Sequence, residues 1–125
     1  MIRLLNEDHN EWDQYKWLKP EWDKHNPFHD TTPPIKYVAF EELDNGINIS
    51  ARFDNNIESR STERCAIQVT FDNGDRIIGR FQYVFPTEAD KSFDKVLKKI
   101  ERLEDCDKED VRKIFQQLPK FSNAF

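Results

Sequence analysis

The fold is decided by two stretches of alternating sequence, IKYVAFEELDNGINISARF (residues 35–53) and AIQVTFDNGDRIIGRFQYVF (residues 66–85). Each stretch contains the triplet Asp-Asn-Gly between two apolar runs, at residues 44–46 and 72–74. Asn-Gly in this position favours a tight β-hairpin, because both residues tolerate the positive φ that a type I′ turn requires. The sequence therefore predicts four antiparallel strands, arranged as two hairpins within residues 35–85.

The alternation also predicts which side chains share a face of the sheet, since successive side chains of a strand point to opposite faces. One face is expected to pack in the core, and its members are Ile47, Ile49, Ala51, Phe53, Ile67, Val69, Phe71, Ile77, Phe81, Tyr83 and Phe85. The opposite face is expected to be exposed to water, with Asn48, Ser50, Arg52, Gln68, Thr70, Arg80 and Gln82. Gly79 interrupts the last strand, which indicates a bulge, a bend or a close approach of another element.

From residue 87 the apolar spacing changes to that of helices. A first helix, beginning at Thr87 or Ser92, is expected to bury Phe93, Val96, Leu97, Ile100 and Leu103. A second helix, capped by Asp107-x-x-Asp110 and ended by Pro119, is expected to bury Val111, Ile114, Phe115 and Leu118. The tail, residues 119–125, carries Phe121 and Phe125, which we expect to fold back onto the body because exposed terminal aromatic residues are costly.

The N-terminal part of the chain, residues 1–34, is rich in aromatic and acidic side chains. Trp12, Tyr15 and Leu18 recur at helical spacing, which predicts a short helix over residues 7–18. The whole chain, residues 1–125, is then expected to be one α+β domain: an N-terminal helix, a four-stranded antiparallel sheet, and a helical pair (87–118) packed on one sheet face. A strongly bent sheet closing toward a small barrel is the alternative fold.

The composition limits the class of protein. The chain has 125 residues, of which 37% are hydrophobic and 34% charged, and its formal net charge is -5. This apolar content supports one core and is too high for a disordered chain. A net negative charge disfavours a general affinity for nucleic acid. Cys65 and Cys106 form neither a disulfide framework nor a zinc motif, and the first residues are unlike a signal peptide, so we expect a cytoplasmic protein with reduced thiols.

Aromatic and acidic side chains predict a surface that binds another protein. Trp and Tyr are enriched at binding hot spots, and acidic groups attract basic partners. The candidate partner-binding residues are Trp12, Trp17, Trp22, Glu41, Glu42 and Asp44. We therefore expect a small acidic non-enzymatic protein that binds, and inhibits or neutralises, another macromolecule with a basic surface. Immunity proteins, antitoxins and phage-encoded inhibitors are of this type.

The polar sheet face gives an alternative function. Guanidinium groups bind carboxylate or phosphate through two hydrogen bonds at once. The candidate residues for an anionic ligand or nucleic acid are Arg52, Arg60, Arg64, Gln68, Arg80 and Gln82. The same residue types are also ordinary choices for an exposed strand, and that structural interpretation stays open.

No catalytic or cofactor motif is present in the sequence. His25-x-x-x-His29-Asp30 contains metal-ligand residue types, but this spacing suits a metal on a helix, and Pro27 disfavours a helix there. No metal and no cofactor are therefore predicted. A small enzyme without a recognisable motif, built near these histidines or the loop at 54–63, stays open as a further alternative.

One stretch resembles a known family. Residues 67–81, Ile-Gln-Val-Thr-Phe-Asp-Asn-Gly-Asp-Arg-Ile-Ile-Gly-Arg-Phe, look like the first signature of Sm-like RNA-binding proteins, in which alternating apolar residues lead into a turn glycine and a second glycine five positions later. The second signature of that family, an Arg-Gly pair in a later strand, is absent, and helices are predicted instead. No RNA-contacting residue and no family assignment follow from this resemblance.

Overall fold

A computed structural model describes residues 2–5, 37–53 and 63–125 of the chain. They form an antiparallel sheet of six strands whose spatial order follows the sequence: β1 (Ile2–Leu5), β2 (Tyr37–Glu42), β3 (Asn48–Phe53), β4 (Cys65–Thr70), β5 (Arg76–Phe81) and β6 (Phe121–Ala124). Two helices, α1 (Pro86–Glu101) and α2 (Lys108–Gln116), lie between β5 and β6 in sequence. The α+β class is confirmed, and the helix predicted over residues 7–18 lies outside the described residues.

Both hairpins close through the predicted triplets, but the turn type differs from the prediction. Gly46 and Gly74 have φ of +87° and +92°, whereas no asparagine among the described residues has a positive φ. The Gly46 N–H donates to the Leu43 carbonyl at 3.0 Å, and the Leu43 N–H donates to the Ile47 carbonyl at 2.9 Å. This is a three-residue loop, in which a type I turn is followed by a left-handed glycine. The Asn45 side chain stabilises it by accepting from the Ile47 N–H at 3.1 Å.

The core face of the sheet is confirmed for most of the predicted residues. The predicted core residues of β3, β4 and β5 that are fully buried are Ile49, Ala51, Phe53, Ile67, Val69, Ile77 and Phe81, and they pack against Phe93, Val96, Ile100, Val111 and Phe115 of the helices. Both helices therefore cover this face. Phe85 was predicted to be buried and is 63% exposed, because β5 ends at Phe81 and Pro86 begins α1. Phe71 is only half-buried.

The ends of the helices are fixed by local hydrogen bonds. Asp107 caps α2 as predicted: its Oδ1 accepts from the Asp110 N–H at 2.9 Å, and Asp110 Oδ2 accepts from the Asp107 N–H at 3.2 Å. At the start of α1, Glu88 Oε1 accepts from the N–H groups of Val84 and Phe85, both at 2.9 Å. These bonds satisfy backbone donors that have no partner within a helix.

Two short strands were missing from the sequence prediction. β1 pairs with β2, and β6 pairs with β5, where the Ile78 N–H donates to the Phe125 carbonyl at 2.7 Å. β6 confirms that the tail returns to the body, since the Phe121 ring meets the Phe81 ring edge-on with 5.7 Å between the ring centres. The Phe125 side chain, which was also expected to be covered, is 60% exposed. β1 and β6 are the outer strands of an open sheet in the described part of the chain, and not the closing strands of a barrel. Neither α1 nor α2 is long and apolar enough to cross a membrane.

Candidate binding surfaces

The two hairpin turns lie side by side at one end of the sheet. β3 and β4 are neighbours, with Asn48 opposite Thr70, so the turn before β3 and the turn after β4 lie at the same end of the sheet. Gly46 lies so close to Asp72 that a Cβ on Gly46 would be 2.7 Å from the Asp72 carboxylate oxygen Oδ1. The two Asp-Asn-Gly turns therefore form one continuous surface, which we call the turn edge (residues 41–46 and 71–75).

Three of the predicted partner-binding residues lie on the turn edge. Glu42 and Asp44 are exposed, and Glu41 is half-buried. No hydrogen bond or ion pair joins any of these three carboxylates to another described residue. The carboxylate of Asp72, on the second turn, lies beside Gly46 of the first turn. The other three candidates, Trp12, Trp17 and Trp22, lie outside the described residues.

A groove adjoins the turn edge between the second hairpin turn and the start of α2. It is an open groove with a volume of about 500 Å³, and its lining residues are Phe71, Asn73, Asp75, Cys106, Asp107, Lys108, Glu109 and Arg112. The Lys108 ammonium lies 3.3 Å from the Asp75 carboxylate, and Arg112 pairs with Glu109 one turn earlier on the helix. Sequence reasoning missed this groove, because it arises where a turn and a helix start converge from separate parts of the chain.

The sheet face opposite the helices differs from the prediction. It was expected to be wet, but Ser50 and Gln68 are only 4% and 3% exposed, and Val38 and Phe40 on the same face are equally buried. Of the other predicted ligand-binding residues, Arg52, Arg64 and Arg80 are half-buried and Gln82 is exposed. Arg60 lies outside the described residues. The alternation correctly assigned Ser50, Arg52, Gln68 and Arg80 to one face, but it did not predict how far that face is buried.

The strand register places two guanidinium side chains on either side of a small residue. Arg52 of β3 and Arg80 of β5 both lie opposite Ala66 of β4, so their Cα atoms are about 10 Å apart at the usual strand spacing. The Arg80 guanidinium also lies 5.6 Å from the centre of the Phe125 ring. On the same face, Gln68 Oε1 and Arg64 Nε are buried without a hydrogen-bond partner among the described residues. Such atoms are costly unless water or a ligand satisfies them.

The described residues contain no cluster of side chains that could hold a metal ion. No three of their His, Cys, Asp and Glu side chains converge as metal ligands, and His25, His29 and Asp30 lie outside the described ranges. Cys65 is fully buried in the core. Burial raises the pKa of Tyr83 to about 12, although its hydrogen bond with Ser92 acts in the opposite direction. These two groups are therefore neutral parts of the core at pH 7.

Comparisons with known proteins do not place the chain in a family. No protein-family model, no curated protein and no solved structure matches it significantly. The surfaces described above are consequently the basis on which a function can be argued.

Proposed function

We propose that this protein binds another macromolecule through the turn edge and thereby inhibits or neutralises it, and that the partner presents a basic surface. The strongest support is the set of carboxylates of Glu41, Glu42 and Asp44 on the turn edge. None of the three forms an ion pair with a cation among the described residues. Asp72 extends the same negative surface onto the neighbouring turn. A formal net charge of -5 adds to the attraction at longer range.

The physical consequence is an interaction that depends on salt. Exposed carboxylates increase the rate of encounter with a basic partner, and screening by ions weakens the attraction over about 10 Å at 0.1 M salt. Asp44 and Asp72 lie on the two hairpin turns, whose backbones are held by hydrogen bonds across each turn, so the turn backbones need little ordering on binding. The affinity of the complex is therefore expected to fall as the salt concentration rises.

The proposal is tested with a pair of variants matched in charge. Glu42→Gln with Asp44→Asn removes two carboxylates from the turn edge, while Thr87→Lys with Asn123→Lys makes the same change in net charge at exposed positions elsewhere. Each immobilised variant is incubated with native lysate at low and at high salt, and the captured proteins are compared with those of the wild type. We expect one protein to be captured at low salt by the wild type and the lysine control, but not by the turn-edge variant. Equal capture by all three chains would contradict the proposal.

A second candidate function is the binding of an anionic ligand by the face that carries Arg52 and Arg80. Their placement on either side of Ala66, and the buried polar atoms of Gln68 and Arg64 nearby, support it. Arg52→Lys with Arg80→Lys keeps the charges but removes the planar guanidinium groups that bind oxyanions through two hydrogen bonds. Calorimetric titration with inorganic phosphate and with a short oligonucleotide should show binding to the wild type and loss of binding in this variant. Exposed Arg102→Lys provides the control.

A further inference from the structure

We propose that the groove beside the turn edge is a pocket for one arginine side chain of the basic partner. This inference rests on the proposed function, because it adds an anchor to the same surface. The groove is bounded by the second hairpin turn on one side and by the first turns of α2 on the other. Its volume of about 500 Å³ is large enough for a long side chain together with its neighbours.

The lining offers an apolar wall on which a guanidinium can stack. Phe71 and Cys106 line the groove and are both half-buried. The ring of Phe71 is part of this wall, and aromatic rings attract a planar guanidinium more strongly than a hydrated ammonium. Burial, with the nearby charges of Asp110 and Asp107, raises the pKa of Cys106 to about 11, so its thiol is neutral at pH 7. A neutral wall of this kind does not repel the incoming cation.

The charges of the lining leave a carboxylate for that cation. Three acidic side chains line the groove, and the two basic side chains there each lie against one of them: Lys108 against Asp75 and Arg112 against Glu109. Asp107 has no cationic partner among the described residues, and only its Oδ1 atom is needed to cap α2. The net charge of the groove lining is therefore negative, which attracts a basic side chain and repels an acidic one.

The groove is continuous with the turn edge. Phe71 and Asp72 are consecutive, and Asp72 contacts the backbone of Gly46 in the first turn. Two strand spacings, about 10 Å, separate the centres of the two hairpins. A partner that places a basic segment across Glu42 and Asp44 can therefore insert a neighbouring arginine into the groove, so that the carboxylates attract it and the groove anchors it.

Hexaarginine is the probe, with hexalysine and hexaglutamate as comparisons, and amide NMR spectra of the full chain report the binding site. Glu109→Trp fills the groove from an exposed helical position, Glu109→Gln removes the charge only, and Lys95→Trp adds an exposed tryptophan elsewhere. We expect hexaarginine to shift the amide signals of Phe71, Asn73 and Cys106, and Glu109→Trp to weaken its binding about tenfold. Glu109→Gln leaves two acidic and two basic side chains in the lining and should weaken binding by less than Glu109→Trp, whereas Lys95→Trp should change the affinity by about twofold or less.

The outcomes separate this inference from the proposed function. If binding is lost in Glu42→Gln with Asp44→Asn but unchanged in Glu109→Trp, the proposal of an arginine pocket in the groove is overturned. The proposal that the turn edge binds the partner is then still supported. Weakening by Glu109→Trp alone would support the groove and count against the turn edge. Equal affinity for hexalysine and hexaarginine would overturn the assignment of arginine. Failure of hexaarginine to bind at low salt would overturn both proposals.

Discussion

The ring of Phe115 lies directly against the backbone of Gly79. Gly79 is in the middle of β5, and a Cβ there would be 2.7 Å from Cδ2 of Phe115 on α2. Phe115 is fully buried and its ring also meets the Phe81 ring edge-on with 5.8 Å between the ring centres, so the Phe115 ring is packed on more than one side. The sequence allowed three explanations for Gly79: a bulge, a bend or the close approach of another element. The packing of α2 against this position supports the third. A register irregularity lies one residue later, between Arg80 and Phe81.

Gly79→Ala is expected to destabilise the protein. A methyl group at this position must displace a packed ring or the backbone, which typically costs about 1–3 kcal/mol. Urea unfolding of the variant measures the change in the free energy of unfolding. In a Phe115→Ala background the same substitution should cost much less, because the obstructing ring is gone. An equal cost in both backgrounds would show that contact with Phe115 is not the reason.

The two hairpin turns allow a matched comparison. Gly46 and Gly74 occupy equivalent positions with positive φ, and nothing lies within 4 Å of a Cβ placed on Gly74. Gly74→Ala should therefore cost about 1–2 kcal/mol from backbone strain alone. Gly46→Ala should cost more, since its Cβ also meets Asp72 at 2.7 Å. Chemical denaturation of both variants compares the two costs, and equal values would mean that Asp72 rotates away without penalty.

Stability is expected to depend on the protonation of Glu88. Burial alone would raise the pKa of Glu88, but hydrogen bonds from Lys120 and from the N–H groups of Phe85 and Val84, with the charge of Lys120, hold it below the ordinary value of 4.5. A lowered pKa in the folded state means that the carboxylate stabilises the fold above pH 4.5, and that this contribution is lost as the pH falls through the folded-state pKa.

Glu88→Gln should therefore be less stable than the wild type at pH 7, and the difference should shrink below pH 4.5. Urea unfolding at a series of pH values measures it. Glu104→Gln is the control, since Glu104 is exposed on the loop between α1 and α2 and takes part in none of these hydrogen bonds. A difference between Glu88→Gln and the wild type that stays constant down to pH 3 would refute this role of Glu88.

Both thiols are expected to react slowly in the folded protein. Burial raises the pKa of Cys65 far above its ordinary value, despite the opposing charge of Arg80, and Cys65 is 1% exposed. Partial burial, with the charges of Asp110 and Asp107, raises the pKa of Cys106 to about 11. Because the thiolate is the reactive form, a thiol reagent at pH 7 should label Cys106 slowly and Cys65 only after unfolding. Cys106→Ser identifies which of the two thiols has reacted. Rapid labelling of Cys65 under native conditions would contradict its placement in the core.

Much of the fold could be predicted because the relevant signals are local. The alternation in residues 47–53 and 66–71, the stripe from Val111 to Leu118 and the Asp107 cap each depend on side-chain spacing within one element, which fixes a face or an end. The residues of the two candidate surfaces were also predicted in part. Glu42, Asp44, Arg52 and Arg80 were named from the sequence, while the groove at Phe71 and Cys106 was not.

The rest depended on relationships between elements. β1 and β6 have four residues each, too few for a recognisable period, and they form because a neighbouring strand supplies backbone hydrogen bonds. The alternation predicts which side chains share a face of the sheet. The burial of Ser50 and Gln68, however, depends on what packs over the face that carries them. The sequence by itself thus determined the class, the strand phases and the Asp107 cap, since these follow from spacing along the chain. Only the tertiary structure decided the exposure of the faces, the contact between the turns and the position of the groove, because these depend on distances between residues far apart in sequence.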